Sequence, residues 1–174
     1  MQEIFILRHG HAEEQGQNES KTDFDRKLTE EGKVKINKLG LFFNSLEEEI
    51  DLVLSSPYLR AKETAEIFVS YLEPKPDLKI VDFLSCGSSS KEIVKGLMPY
   101  SSLKRILLVG HIPDLELFLG KLIGAEQIGL KKGSLAKVTL DNSIEFSGEL
   151  VWLVTSKLIK KFKLKDKLAV SDKK

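Results

Sequence analysis

Ile4-Phe5-Ile6-Leu7 runs directly into Arg8-His9-Gly10. Four apolar residues in a row read as a buried strand that starts almost at the first residue. A core strand that finishes on a cation, an imidazole and a glycine is unusual. It places two chemically active side chains where the strand emerges, the common position of a site in an open α/β sheet. Two later segments repeat the theme. Leu52-Val53-Leu54 is followed by Ser56-Pro57 and then Arg60, and Ile106-Leu107-Leu108-Val109 is followed by Gly110-His111.

Helical patterns separate these runs. Thr29 is a natural N-cap, with Glu30 and Glu31 in the first turn where the helix dipole favours acids. Ile36, Leu39, Phe43 and Leu46 then follow at helical spacing. Gly32 in that first turn points to close backbone packing. Ser56-Pro57 predicts a helix start, a capping serine followed by proline at the first helical position. Ala61, Ala65, Phe68 and Leu72 mark its inner face, and Pro74 and Pro76 its end. A short strand over 78–81, a small-residue turn over 86–90 and a short helix over 91–97 come next. After the strand 105–109, a helix carries Leu115, Phe118, Leu119 and Leu122. The alternating segments 135–140 and 149–154 read as antiparallel strands joined through Asp141-Asn142. Strands alternating with helices predict a three-layer α/β/α sandwich with a mostly parallel central sheet.

The chain of 174 residues suits one domain with a real core. Residues 1–156 are expected to form it, and 157–174 a lysine-rich, solvated tail. Charged residues make up 30% and the net charge is +1, so no general affinity for nucleic acid is implied. No apolar run approaches the ~20 residues that span a bilayer, and residues 4–7 are too short for a signal-peptide core. A cytoplasmic protein without a membrane partner is expected. One cysteine, Cys86, excludes an internal disulfide, and three histidines beside it make a zinc cage an unlikely use.

Strand ends at Arg8-His9, Ser55-Ser56 and Gly110-His111 are expected to converge on one edge of the sheet. Arg60, one turn after Pro57, can lean back over that edge. Two arginines can grip the oxygens of a phosphoryl group in a forked geometry that lysine cannot reproduce. One histidine can complete the clamp. The other, if neutral, can attack phosphorus, with its second nitrogen bonded to a backbone carbonyl to set the tautomer. Gly10 is read as letting the backbone bend close to the phosphate.

With these pieces in place, the chain resembles the histidine phosphatase superfamily, the phosphoglycerate mutase-like fold. The matching blocks are Arg8-His9-Gly10, Leu28-Thr29-x-x-Gly32, Ser56-Pro57-x-x-Arg60-Ala61-x-x-Thr64-Ala65 and Gly110-His111-x-Pro113. Within it, Arg8-His9-Gly10-His11-Ala12, Cys86-Gly87 and Leu135-Ala136-Lys137-Val138-Thr139-Leu140 are similar to the SixA-type phosphohistidine phosphatases. The resemblance covers residues 4–154. It implies that His9 is transiently phosphorylated, that Arg8, Arg60 and His111 bind the phosphoryl group, and that neither metal nor other cofactor takes part.

The chain departs from the family at one point. Members that cleave phosphomonoesters carry a glutamate or aspartate after the third strand as general acid. Here the stretch is Phe83-Leu84-Ser85-Cys86-Gly87, without a carboxylate. General-acid help is typically worth ~10²–10⁴-fold, so an alcohol leaving group would suffer, whereas a phosphohistidine would not. Glu13, Glu14, Asp23 or Asp25 from the 11–27 loop, Asp82, or His11 are the alternative proton donors. A protein bearing phosphohistidine is the expected substrate. A phosphatase for a small phosphorylated metabolite or nucleotide is the runner-up, and a catalytically inactive phosphate-binding adaptor the third reading. Taken singly, the residues have plainer uses. Arg60 could pair with Glu63, Arg26 with Asp23 or Asp25 rather than phosphate, and Cys86 could be a small buried or half-buried filler.

Overall fold

A computed structural model of the chain describes residues 1–18, 20–141 and 146–159. The opening run forms β1 (Glu3–Arg8). It is followed by α1 (Glu30–Ser45), β2 (Leu52–Ser55), α2 (Leu59–Val69), β3 (Asp77–Ile80), α3 (Ser90–Leu97), β4 (Arg105–Gly110), α4 (Asp114–Ile123), β5 (Leu135–Leu140), β6 (Gly148–Val154) and α5 (Ser156–Ile159). The six strands make one sheet in the order β3-β2-β4-β1-β5-β6. β3, β2, β4 and β1 are parallel, and β5 joins β1 antiparallel and is itself closed by β6. This is the mostly parallel three-layer sandwich expected from the alternation of elements.

Strand parity builds the core. Ile4 and Ile6 point to the face covered by α3 and α4, where Ile93, Leu97, Leu115, Phe118 and Leu119 pack. Phe5 and Leu7 point to the other face, against Ile36, Leu39 and Phe43 of α1 and Ala61, Ala65 and Phe68 of α2. Phe5 meets Phe43 edge to face at 5.4 Å between ring centres. Truncating either ring to alanine should cost about 3–5 kcal/mol.

Three local expectations are corrected by the structure. Leu46 is 39% exposed rather than on the inner face, because α1 ends at Ser45 and Leu46 is its C-cap. Helix α2 begins at Leu59 with Tyr58 as N-cap, not at Ser56-Pro57. The Ser56 hydroxyl is instead engaged by His111, a partner from another strand. The chain after Lys157 is not solvated throughout, since Ile159 is buried in the core on the α1 face; residues 160–174 lie outside the described residues.

Register sets the site. Arg8 is level with Gly110, and Ser55 with Val109. His9 N donates to Gly110 O (3.1 Å) and Ser56 N to Val109 O (2.9 Å), so the pairing continues one residue past each strand. The three central strands therefore deliver Arg8-His9, Ser56 and His111 to one carboxyl edge.

Candidate active site

His9 is 7% exposed and His111 2%, with ring centres 5.1 Å apart. The Nδ1 of His9 lies 2.7 Å from the carbonyl oxygen of Gly10. A carbonyl only accepts, so Nδ1 carries the proton and Nε2 keeps its lone pair. Arg60 Nε donates toward that Nε2 at 3.3 Å. Burial pushes the His9 imidazole down to about 2, helped by the neighbouring His111, Arg60 and Arg8 and opposed by the Gly10 bond. His9 is thus neutral, with its Nε2 lone pair facing a guanidinium.

His111 is also neutral, driven to about 3 by burial and then by Arg60 and Arg8. Its Nε2 lies 2.7 Å from Ser56 Oγ, and the same oxygen accepts from Tyr58 N at 3.3 Å. Ser56 can donate its proton to Nε2, which leaves the imidazole proton on Nδ1. Among the described residues, neither that buried Nδ1 nor the buried Nε of Arg8 has a hydrogen-bond partner. Two orphaned donors at a buried strand edge fit an anionic ligand.

Arg60, 4% exposed, is tied down on every side. Nη1 donates to the Asp23 carbonyl (2.6 Å), and Nη2 to Asp23 Oδ2 (3.0 Å) and Cys86 Sγ (3.4 Å). The ring of Tyr58 lies 4.9 Å from its Cζ and 4.9 Å from the His111 ring. Asp23 therefore grips the outer fork of the guanidinium and turns the Nε edge toward His9. Burial alone would raise the Asp23 carboxyl, but the hydrogen bonds from Arg26 and Arg60 outweigh it and hold the group below the usual range. Asp23 stays ionised near neutral pH and is a poor proton donor there.

The other candidates are dispersed. Arg26 pairs with Asp23 (2.8 Å) and donates to the Glu13 carbonyl, in line with the ion-pair reading. Glu13 accepts from Asn18 and Ser20, and Asp25 from Thr22. Glu14 is exposed, and Asp82 is exposed at the start of a 3₁₀ turn rather than closing a strand. His11 is half-buried, its Nδ1 3.0 Å from Thr29 Oγ1. Glu63 accepts from Leu28 N and not from Arg60. Cys86 as a whole residue is exposed rather than buried or half-buried, although partial desolvation of its sulfur is the first influence raising the thiol above its ordinary value. Gly10 has a different reason from the expected one: a Cβ there would lie 3.0 Å from Ile36 Cγ1, so glycine lets α1 pack against the strand end. At Gly32 a Cβ would come within 2.1 Å of the His11 carbonyl oxygen, which bears out the close packing read there.

Sequence reasoning missed four contributors. The sequence places Ser56 at the site edge and as a cap but gives it no role there, and offers Asp23 only as an acid or a partner of Arg26. Thr64 accepts from Gly10 N (3.0 Å) and so fixes the turn after His9. Asp114, 8% exposed, accepts from Gly87 N (2.8 Å) and pins the segment bearing Cys86; its burial raises the carboxyl. Thr64 and Ser56 had a signal, since both stand inside the block that contains Arg60. Among the described residues, no group of three or more His, Cys, Asp or Glu is placed to hold a metal.

Known proteins resemble the chain in sequence and in fold. The chain is 40% identical over 76 residues to the mitochondrial serine/threonine-protein phosphatase PGAM5 of Xenopus tropicalis, an alignment covering 44% of this chain and 25% of the frog protein. The chain thus spans about a quarter of that relative's length. It is 30% identical over 115 residues to an uncharacterised protein of Picosynechococcus sp., covering 65% of this chain and 68% of the other. Its fold superimposes on the structure of the protein histidine phosphatase SixA complexed with tungstate with a TM-score of 0.81, at 24% identity, over 90% of this chain and 99% of that one. The profile described as histidine phosphatase superfamily (branch 1) matches residues 4–85, which include Arg8, His9 and Arg60. The chain belongs to the histidine phosphatase superfamily.

Proposed function

We propose that the protein is a phosphatase that hydrolyses phosphohistidine on a protein, through a phosphorylated His9. The observation that carries the reading is the state of His9: neutral, with its proton held on Nδ1 by the Gly10 carbonyl and Nε2 turned to Arg60. In the first step, Nε2 attacks phosphorus as the P–N bond to the substrate imidazole breaks. A phosphohistidine whose other ring nitrogen is protonated leaves as neutral imidazole, so no acid from the enzyme is required. Water then attacks the phosphorus on His9, releases phosphate, loses a proton to solvent and restores the free imidazole. Arg8, Arg60 and His111 Nδ1–H stabilise the charge on the equatorial oxygens in both steps.

The missing acid supports this substrate. An alkoxide leaving from a phosphomonoester needs a proton, and the carboxylate nearest Arg60, Asp23, is held ionised. Cys86, with its raised thiol, stands where Arg60 reaches the segment after β3. The tungstate in the SixA structure is an oxyanion shaped like phosphate. A second reading, a phosphoserine or phosphothreonine phosphatase, is favoured by the 40% identity to PGAM5 over 76 residues. Assays of a phosphohistidine peptide, a phosphoserine peptide and a sugar phosphate side by side test the choice. A kcat/KM on phosphohistidine at least a hundredfold above the others is expected, by the worth of a general acid, ~10²–10⁴-fold. Equal or higher rates on phosphoserine would overturn it.

A further inference from the structure

One side of the site's mouth gathers four cations, Arg8, Arg26, Lys35 and Lys132. The segment Leu130–Ser134 is tied to the end of β1. Arg8 N donates to Ser134 O (3.1 Å), Arg8 Nη1 to Leu130 O (2.7 Å), and Gly133 N to the carbonyls of Arg8 and His9 (3.2 and 3.1 Å). A Cβ on Gly133 would lie 3.4 Å from Ile36 Cδ1, the side chain that also meets Gly10. The segment therefore lies between the strand end and α1, and it carries Lys132 at the rim, exposed. Arg26, paired with Asp23, is also held by its bond to the Glu13 carbonyl, next to the pairing of Ala12 with Leu28.

Among the described residues, no carboxylate is hydrogen-bonded to Lys132. Its ammonium is lowered by partial burial and then by the like charges of Arg8, Arg26 and Lys35, with Glu14 opposing. Lys35 itself is paired with Glu31 at 2.5 Å. Like charges gathered at the edge of an anion-binding hollow raise the free energy of the empty protein. Negative charge on a ligand relieves that repulsion, so such a cluster favours an anionic partner. Lys131, exposed on the same segment, extends the positive border outward over the surface. An open, surface-following border suits a chain rather than a small enclosed metabolite.

We propose that Lys132, with Arg26 and the outer face of Arg8, forms a subsite for carboxylate side chains flanking the phosphorylated histidine of a protein substrate. This rests on the phosphohistidine reading and narrows it to acidic sequence contexts. The test uses the whole chain, wild type and Lys132→Glu. The probes are phosphoramidate, a phosphohistidine peptide flanked by Asp and Glu, the same peptide with Asn and Gln, and a sugar bisphosphate. Wild type should favour the acidic over the neutral peptide by about tenfold in kcat/KM, and added salt should erase the difference, as for a rim charge. In Lys132→Glu the loss on the acidic peptide should exceed the loss on phosphoramidate by about tenfold. Equal rates on the two peptides in wild type, or equal losses on peptide and phosphoramidate in the variant, would sink the subsite. A loss confined to the bisphosphate would overturn the protein source. If both phosphohistidine peptides stay intact while phosphoserine peptides are cleaved, the phosphohistidine reading fails instead. The acidic-against-neutral comparison on phosphoserine peptides then decides the subsite.

Discussion

The two arginines of the site stand in opposite surroundings. Arg60 is enclosed, with Nε on His9, Nη1 and Nη2 on Asp23, Nη2 also on Cys86, and the ring of Tyr58 beside it. Arg8 is held by one bond from Nη1 to Leu130 O with Glu116 nearby, and among the described residues its buried Nε has no partner and Lys132 makes no hydrogen bond to a carboxylate. One flank is saturated by the protein's own acceptors, and the other, among the described residues, leaves Arg8 Nε and the Lys132 ammonium without a hydrogen-bonded acceptor. A saturated guanidinium is oriented before any ligand arrives, which lowers the reorganisation cost of transition-state binding. An unsatisfied flank gains most when a ligand brings charge to it. The difference separates a positioning side from a receiving side.

The largest effect should come from the group the two flanks share. His9→Ala is expected to abolish turnover and to lose any labelled phosphate trapped on the protein by rapid acid quench. Arg8→Ala and Arg60→Ala should each lower kcat by roughly 10²–10³-fold, the cost of removing one transition-state donor. The comparison would break if Arg8→Ala were nearly silent, because the receiving flank would then receive nothing. Asp23→Ala should sharpen it: kcat falls by about tenfold while KM changes little, since the carboxylate orients Arg60 rather than touching phosphate. Asp23→Asn, which retains one acceptor oxygen, should recover part of that loss. An unchanged kcat in Asp23→Ala would mean that Arg60 orients itself.

The smallest effect is on stability. Folded His9 and His111 titrate at about 2 and about 3, whereas an unfolded histidine takes up a proton near 6.5. Below that value the unfolded chain binds more protons, so stability falls as pH drops from 6.5 toward 3. Asp114, with its raised carboxyl, acts in the opposite sense in the acid part of the window. Thermal melting of ligand-free protein should show a midpoint lower at pH 5 than at pH 7. The drop should shrink in His111→Gln, which titrates one group fewer. A midpoint independent of pH in wild type would contradict the neutral, buried imidazoles.

The fold was legible because its signals are local. The apolar runs at 4–7, 52–54 and 106–109 needed only their own composition to read as central strands, and all are buried. The four motif blocks, in order, were enough to gather Arg8, His9, Arg60 and His111. What could not be read are pairings between a periodic element and an irregular one. Asp23 lies in a loop with no period, so its place on Arg60 was one of several equal options for an acid. Ser56 shows the converse. Its local context is that of a helix cap, and only the register of β4 beside β2 gives its hydroxyl to His111 instead.

The order and chemistry of residues alone determined a parallel α/β sheet with two histidines and two arginines at its carboxyl edge, because hydrophobic period and strand-end position are properties of contiguous sequence. The tertiary structure decided how those groups are charged and held: the tautomer of His9, the enclosure of Arg60 by Asp23 and Cys86, and the bare positive border at Lys132. Those depend on burial and on contacts between segments far apart in the chain, and no stretch of sequence encodes either by itself.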